Sequence, residues 1–221
     1  MKSHSNKFRI FFSPYKYKFI SKVKGTNIRV LEIGIGNDSP IAFKNIYPDI
    51  AYDGLDNTLS YNLSDEGIRN INKFYNINLD TNNSAEIEND YYDFIIMAQV
   101  IEHLDNGENA LDELTRKVKK GGYFYLETPR EISKKFPSMK GTLNFYDDKT
   151  HKKIYDRNLI ENIFLKNGFE IIRSGVKRDA LRIIFLPYMI IKSLIRDGYI
   201  RGSAFWDLLG YSYYILAKKK I

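Results

Sequence analysis

The sequence predicts an α/β protein built around a parallel sheet. Between residues 30 and 127, short and nearly continuous apolar runs alternate with segments of helical periodicity. Such runs are typical of strands that are buried on both faces of a parallel sheet. The first run ends at two glycines, Gly34 and Gly36, in a turn of the kind that joins such a strand to the next helix. Together these observations predict a βαβ series.

Each element follows from a local signal. Strands are predicted over Ile28–Ile33, Ala51–Leu55, Phe74–Leu79, Tyr92–Ala98, Tyr123–Glu127, Phe169–Val176 and Tyr211–Ala217. Helices are predicted from Ser39 as N-cap, from Ser64, over Glu108–Lys120 up to the Gly121-Gly122 stop, from Asp156 to Asn167, over residues 180–197 with a kink at Pro187, and over Ser203–Leu209. Residues 130–155 are predicted to form a long loop.

Composition narrows the class of protein. The 221 residues are 43% hydrophobic, so one domain over residues 1–221 with a sizeable core is expected. The absence of cysteine excludes disulfides and thiolate chemistry, and it agrees with the cytoplasmic location that we expect. The longest apolar run, Ile183–Ile191, is too short to cross a bilayer.

The net charge of +7 is unevenly distributed. Residues 1–29 carry +8, residues 30–151 carry −9, and residues 152–221 carry +8. We therefore expect a basic N-terminal extension over residues 1–27. An acidic middle between two basic ends indicates contact of the ends with an anionic partner, or solvated surfaces only.

The glycine turn is preceded by an acid. Glu32 lies two residues before Gly34, and the third glycine of the dinucleotide-binding fingerprint is replaced by Ser39. A carboxylate at Glu32 would repel a pyrophosphate, but it suits a ligand that carries an ammonium or sulfonium charge. Glycines at 34 and 36 allow the backbone to approach such a ligand closely.

Two more acids follow the next predicted strands. Asp56 ends the second strand, twenty residues after Gly36, where a carboxylate can accept both ribose hydroxyls of a nucleoside. Asp80 follows the third strand and is a candidate for contact with the adenine. The alternative for both residues is helix capping.

These motifs, taken in order, resemble those of the class I S-adenosylmethionine (SAM)-dependent methyltransferases, in a bacterial subgroup related to the ubiquinone-type enzymes. The resemblance covers residues 28–128 and rests on Glu32-Ile-Gly-Ile-Gly, Asp56, Asp80, Asp93 through Leu104, and Lys119-Lys-Gly-Gly-Tyr. It implies a Rossmann-like, mostly parallel seven-stranded sheet with an antiparallel last strand and helices on both faces.

The resemblance also implies roles for individual residues. SAM is the expected cofactor, and S-adenosylhomocysteine is the expected product. Glu32, Gly34 and Gly36 would hold the methionyl end, Asp56 the ribose and Asp80 the surroundings of the adenine, while Gln99 would lie beside the sulfonium. Residues 130–155 would be an acceptor loop, and residues 180–209 a helical insertion before the last strand.

Catalytic candidates come from the few histidines. A base is needed if the acceptor is a neutral hydroxyl, and imidazole titrates near neutral pH. We favour His151 in the acceptor loop over His103 after the fourth strand. Tyr146, Asp147 and Asp148 are close enough in sequence to share a site with His151, where one aspartate could orient the imidazole; the alternative is a turn capped by Asp147.

A metal site is not expected. The ubiquinone-type and small-RNA 2′-O-methyltransferases bind a divalent ion through Glu-x-x-Glu-His. Here Gln99 replaces the first glutamate ahead of Glu102 and His103, and a neutral amide is a weaker ligand for hard cations.

The acceptor is predicted less sharply than the cofactor. The likeness of residues 143–170 to the bacterial subgroup favours a small acceptor, or one linked to a sugar or polysaccharide, that is methylated at oxygen. Four basic side chains of the acceptor loop indicate an anionic acceptor, or surface solvation only: Arg130, Lys134, Lys135 and Lys140. The insertion is interpreted as a lid or as packing over the edge of the sheet, and both interpretations are preferred to a membrane contact.

Two other classes of function stay open as alternatives. An NAD(P)-dependent oxidoreductase or epimerase is disfavoured by Glu32 and by the missing third glycine. A binding module without enzymatic activity, for nucleic acid or a membrane surface, rests only on the two basic ends, and the sequence has no nucleic-acid-binding motif.

Overall fold

Seven strands form one mixed sheet in the computed structural model, which describes residues 10–11, 13–58, 63–81 and 84–221. The strand order is β3-β2-β1-β4-β5-β7-β6, and β7 runs antiparallel to both of its neighbours. The strands are β1 Arg29–Ile33, β2 Ala51–Asp56, β3 Phe74–Asn76, β4 Tyr92–Ala98, β5 Val118–Pro129, β6 Phe169–Val176 and β7 Ser212–Lys219. The predicted sheet, including its antiparallel last strand, is therefore confirmed.

Helices cover both faces of this sheet. They include α1 Ser39–Ile46, α2 Asp65–Arg69, α3 Gly107–Thr115, α4 Arg157–Lys166, α5 Ala180–Ile184, α6 Leu186–Asp197 and α7 Trp206–Leu209. One buried cluster joins α3 and α4 to the sheet through Leu111 and Phe164. The other joins α1 and the N-terminal segment to the opposite face through Phe43 and Tyr17. No described helix is long and apolar enough to span a bilayer.

The helix predicted over Glu108–Lys120 is too long. It ends at Thr115, because Val118 already pairs with Tyr92 as the first residue of β5. Gly121, with φ of +78°, lies at a register shift within β5 instead of ending a helix. Tertiary pairing here outweighs helical periodicity.

Further differences from the prediction concern the start of α1 and the end of β3. Asp38, with φ of +52°, is the N-cap of α1, so Ser39 is the first helical residue and not the cap. The third strand stops at Asn76, three residues earlier than expected. Ser64 and Asp156 do cap α2 and α4 with their side chains, as predicted.

The basic N-terminal extension packs against the domain from Ser13 onward. Tyr17, Phe19 and Ile20 are buried among the residues of the α1 face. Lys18 forms an ion pair of 2.9 Å with Asp179, which caps the first helix of the insertion. The first nine residues of the extension lie outside the described part of the chain.

The acceptor loop and the insertion are bonded to each other. The backbone nitrogens of Gly202 and Ser203 donate to the carbonyls of Lys140 and Gly141 at 2.8 and 2.9 Å. The indole of Trp206 also donates to a loop carbonyl and stacks on Tyr211, with ring centroids 4.5 Å apart. The two segments therefore form one substructure over the carboxyl edge of β5 and β6.

Candidate active site

The glycine turn after β1 passes directly against the end of β4. Gly34 has φ of +73°, and a Cβ there would lie 2.3 Å from a methyl carbon of Val100. Its amide donates to the carbonyl of Leu55 at 2.8 Å, which ties the turn to β2. The amide of Ser39 donates to the carbonyl of Gly36 at 3.0 Å and closes the turn. The close contact with Val100 thus requires glycine at position 34, and the approach of the turn to a ligand stays a prediction.

Glu32 is buried beneath the turn and bound by three donors. The hydroxyls of Tyr17 and Tyr52 donate to Oε2 at 2.9 and 2.8 Å. The ammonium of Lys16 pairs with Oε1. A carboxylate in this position attracts an ammonium group, as expected from the sequence, but here the ammonium belongs to the chain itself. No motif or spacing indicated that Lys16 and Tyr17 would bind Glu32.

Asp56 and Asp80 have different surroundings. Asp56 lies at the carboxyl end of β2 and accepts a backbone hydrogen bond from Thr58 at 3.3 Å. Burial raises the pKa of its carboxyl. Asp80 accepts from the backbone nitrogens of Asp105 and Asn106 at 2.7 and 3.2 Å, just before α3. Asp80 therefore binds the segment that leads into α3, whose N-cap is Asn106, and an adenine role for Asp80 stays a prediction.

Gln99 follows β4 in a left-handed conformation, with φ of +58°. Such strain in a non-glycine residue is often found at functional sites. Its side-chain amide donates to the carboxylate of Glu127 at 3.2 Å and to the hydroxyl of Ser212 at 2.8 Å. These hydrogen bonds link the ends of β4, β5 and β7. This places Gln99 at the carboxyl edge of the sheet, where the resemblance requires it.

A chain of buried charges extends from Gln99 to the insertion. Lys177 lies 3.2 Å from Glu127 and 3.7 Å from Asp207, and all three side chains are almost fully buried. Arg182 lies 3.0 Å from Asp207 on its outer side. Sequence reasoning missed these residues, although an acid at the end of a buried strand was a usable signal at Glu127.

His103 and His151 come together at the same edge, with ring centroids 4.8 Å apart. His151 Nδ1 lies 2.6 Å from the carbonyl of Phe145, which can only accept, so Nδ1 is the donor and Nε2 is the basic nitrogen of the neutral ring. Thr150 donates its hydroxyl proton to Asp148 and so accepts from His103 Nδ1 at 2.9 Å. In the neutral form of each imidazole, Nε2 is therefore the nitrogen with the lone pair.

The electrostatic surroundings favour neutral imidazole at His103. Burial lowers the pKa of His103, and the neighbouring His151 lowers it further. Glu102, which is fully buried next to this pair, accepts from Thr128 at 2.9 Å with one oxygen. Its other oxygen, Oε1, has no hydrogen-bond partner among the described residues. Burial raises the pKa of Glu102 to about 8.

Asp147 is not the carboxylate that faces His151. It accepts from the backbone nitrogens of Met139, Leu143 and Asn144 at 2.8 to 3.0 Å, and these hydrogen bonds hold the acceptor loop closed. The carboxylate of Asp148 lies nearer, 3.9 Å from His151 Nε2. The expected orienting role of Asp147 is thus corrected, because its oxygens are already bound by the loop.

Tyr146 is not brought into the histidine pair. Its side chain is 58% exposed and makes an edge contact with Phe145, whose ring in turn stacks on His151 at 4.6 Å. The contact to His151 is therefore made by the neighbouring phenylalanine, which the sequence did not single out.

A metal ligand set was not expected here, but three candidate ligands lie close together. One ligand atom each of Glu102, His103 and His151 falls within 4.8 Å of the others. Two histidines and a glutamate are a donor set typical of catalytic zinc, whose tetrahedral ligands would lie about 3.4 Å apart. The cluster would have to contract to hold such an ion. Gln99 is not part of it, since its amide is bound to Glu127 and Ser212.

A cavity of about 450 Å³ opens beside the acceptor loop. Arg130 and Arg157 line it together with Tyr213 and the apolar side chains of Ile132 and Val176. Of the other basic residues of the loop, Lys134 pairs with a neighbouring acid and Lys140 lies over an aromatic ring.

The comparison with known families decides which class of protein this site belongs to. A family model described as a methyltransferase domain matches residues 10–174, about three quarters of the chain. The chain belongs to this methyltransferase family. The resemblance to class I SAM-dependent methyltransferases inferred from the sequence is confirmed. The same comparisons support SAM as the cofactor.

Solved structures share the fold at low sequence identity. A SAM-dependent methyltransferase from Archaeoglobus fulgidus is 20% identical, with a TM-score of 0.57 over 91% of this chain and 90% of that one. One from Mesorhizobium loti is 11% identical, with a TM-score of 0.61 over 95% and 100%. Phosphoethanolamine N-methyltransferase 2 from Haemonchus contortus, solved in complex with SAM, is 15% identical, with a TM-score of 0.63 over 96% and 55%. No curated protein matches the sequence.

Proposed function

We propose that this methyltransferase transfers the methyl group of SAM to a hydroxyl oxygen of a small or sugar-linked acceptor. The observation that carries the proposal is the hydrogen bond from His151 Nδ1 to the Phe145 carbonyl, which makes Nε2 the basic nitrogen of the neutral ring beneath the acceptor loop. A neutral hydroxyl needs such a base, whereas methylation of a free amine does not.

The residues divide the reaction between them. Gly34, Gly36 and Asp56 line the carboxyl edge of β1 and β2 and would hold the cofactor, and Gln99 would lie near the reacting carbon. Bound SAM supplies an electrophilic methyl group, and the electron pair of the broken carbon–sulfur bond stays on sulfur. His151 Nε2 takes the proton of the acceptor hydroxyl as the new carbon–oxygen bond forms. Alignment and exclusion of water supply most of the remaining rate enhancement.

An anionic acceptor fits the cavity beside the loop. Arg130 lines this cavity and holds its guanidinium by donating to the carbonyl of Gly210 at 2.8 Å. Guanidinium groups favour carboxylates and phosphates. We therefore place phosphorylated or carboxylated sugars first among the acceptors to be screened.

Calorimetric titration with SAM, S-adenosylhomocysteine and NAD is the first test. Micromolar binding of the first two without NAD is expected. Binding of NAD alone would contradict the proposal and would favour the alternative that the protein is an NAD(P)-dependent oxidoreductase.

The His151→Ala variant tests the base. An acceptor is first identified by a screen that measures S-adenosylhomocysteine formation. With that acceptor, we expect the turnover of the variant to fall by about 100- to 1,000-fold while its SAM affinity changes little. Added imidazole should restore part of the lost turnover. Unchanged turnover would show that His151 is not the base.

A metal-assisted reaction is the second candidate, favoured by the closeness of Glu102, His103 and His151. The cluster would hold the ion, which would polarise the acceptor oxygen. Turnover that is lost on chelation and restored by zinc would support it. Turnover that survives chelation would favour the metal-free base.

A further inference from the structure

Helix α6 and the two residues before it carry an apolar face with no partner in the described part of the chain. Exposed fractions reach 60% at Tyr188, 56% at Ile191 and 82% at Ile195. Ile184 and Phe185, at the junction with α5, extend this face. Of the twelve residues of α6, only Ser193 is buried. We call these five exposed apolar side chains the apolar face.

The arrangement is regular and not a scatter of single side chains. Tyr188, Ile191 and Ile195 are spaced by three and four residues, so they lie along one side of α6. Contiguous exposed apolar groups of this kind are rare on proteins that make no contacts with them, and they mark an interaction surface. A lid function does not account for them, because the insertion turns other residues, such as Gly202 and Trp206, toward the acceptor loop.

The charges around the apolar face indicate what covers it. Residues 180–201 contain four basic side chains and one acid, Asp197. Arg196 and Arg201 share Asp197, and Arg182 approaches Asp207. Lys192 is exposed and has no ion-pair partner among the residues described. An apolar stripe flanked by uncompensated positive charge is complementary to anionic headgroups above an acyl layer.

A second copy of the chain fits this surface less well. Each apolar face is flanked by Lys192, which has no ion-pair partner among the described residues, so two such faces brought together would place like charges near each other. The helix of twelve residues is also far too short to cross a bilayer, so a position in the plane of the interface is the one it can take.

We propose that the apolar face of α6 docks on an anionic membrane surface. Tyr188, Ile191 and Ile195 enter the interface, and Lys192 contacts the headgroups. The insertion is bonded to the acceptor loop, so docking brings the acceptor side of the sheet close to the lipid. This proposal does not depend on which atom of the acceptor is methylated.

The test is sedimentation of the full chain with vesicles, either of phosphatidylcholine alone or of phosphatidylcholine mixed with phosphatidylglycerol. We expect binding to the mixed vesicles and little binding to the neutral ones. The double variant Ile191→Asp, Ile195→Asp should reduce binding by about tenfold or more. Lys192→Glu should weaken binding to the mixed vesicles to a smaller extent.

The matched control is Leu165→Asp, compared with the single variant Ile195→Asp: each places one negative charge on an exposed apolar position, 52% exposed on α4 and 82% exposed in the apolar face. Leu165→Asp should bind like the unmodified chain, and all variants should melt at similar temperatures because the changed side chains are exposed. Absence of binding to mixed vesicles, equal binding to both kinds, or unchanged binding of the double variant would each overturn the proposal. Self-association that the double variant abolishes, without vesicle binding, would instead identify a second copy as the occupant.

Discussion

The three carboxylates predicted to meet the cofactor differ in what they already bind. Glu32 is held by Lys16 and two tyrosine hydroxyls, and Asp80 by two backbone nitrogens before α3. Among the described residues, Asp56 is approached at the end of β2 by the backbone nitrogens of Asn57 and Thr58, and the Thr58 hydrogen bond is long, at 3.3 Å. Of the three, Asp56 therefore has the greatest capacity to accept hydrogen bonds from ribose hydroxyls.

Replacing Asp56 with alanine should weaken SAM binding by about 10- to 100-fold, because hydrogen bonds to a charged group contribute about 1.5–3 kcal/mol. Calorimetry measures the affinity, and thermal unfolding checks that the fold is retained. Asp49→Ala is the matched control, since Asp49 is an exposed acid before the amino end of β2. Equal SAM affinity of the two variants would remove the ribose role from Asp56.

The limits of prediction are clearest at the residue scale around His151. The sequence places Asp147 and Asp148 side by side, three or four residues before the imidazole. It does not indicate which carboxylate the loop will use for its own backbone nitrogens. That choice depends on the path of residues 138–144, which fold back on Asp147. The neighbour of His103 was likewise unpredictable, because Thr150 is brought to it by tertiary structure.

At the scale of elements, the contact between insertion and loop depends on a glycine. A Cβ on Gly202 would lie 2.7 Å from the Cβ of Leu143 and 2.8 Å from its backbone nitrogen. We expect Gly202→Ala to separate the two segments, lowering the melting temperature by a few degrees and raising the KM for the acceptor. SAM affinity should change little, since the residues proposed to hold the cofactor lie at the carboxyl ends of β1, β2 and β4.

Gly175→Ala in β6 is the control for this change, because nothing lies within 4 Å of the added carbon. Melting curves and steady-state kinetics compare the two variants. If Gly202→Ala behaved like Gly175→Ala in both, the close contact would have no part in shaping the acceptor site.

Two strands with different surroundings were predicted at both ends: β4 is buried in the middle of the sheet, and β6 is an edge strand in which only Phe169 is buried. The bounds of β4 and β6 agree with the sequence prediction at both ends. Predictions failed where one pattern serves two elements: Val118 continues the helical spacing of α3, yet belongs to β5. Loop residues could be assigned to a loop, but the two helical turns inside the acceptor loop, Glu131–Lys135 and Phe145–Asp147, depend on contacts distant in sequence.

At the scale of the whole molecule, a ligand that binds only the folded chain stabilises it. A concentration one hundred times the Kd adds about 2.7 kcal/mol to the free energy of unfolding. For a domain of this size, SAM or S-adenosylhomocysteine should then raise the melting temperature by about 5–10 °C. NAD at the same concentration should have no effect. A shift with NAD and none with SAM would contradict the assignment of the cofactor site.

The uneven charge of the chain is partly resolved by folding. Two cations of the N-terminal extension, Lys16 and Lys18, pair with Glu32 and Asp179. The +8 charge of residues 1–29 is therefore not all available to an external partner, which weakens the sequence-based case for nucleic acid. The composition alone could not reveal this, because pairs so distant in sequence form only in the folded chain.

The hydrogen bonds from Gly202 and Ser203 to the acceptor loop bear on how new acceptor preferences arise in proteins of this design. If residues 130–155 were replaced by those of a relative, the new loop would lack a matching partner for Gly202 and Ser203, which begin a 3-10 turn of the insertion. If residues 180–209 were replaced, the new insertion would lack the loop carbonyls to which those two residues donate. Recombination that changes the substrate preference therefore has to exchange both segments together, although α4 and β6 separate them in the sequence.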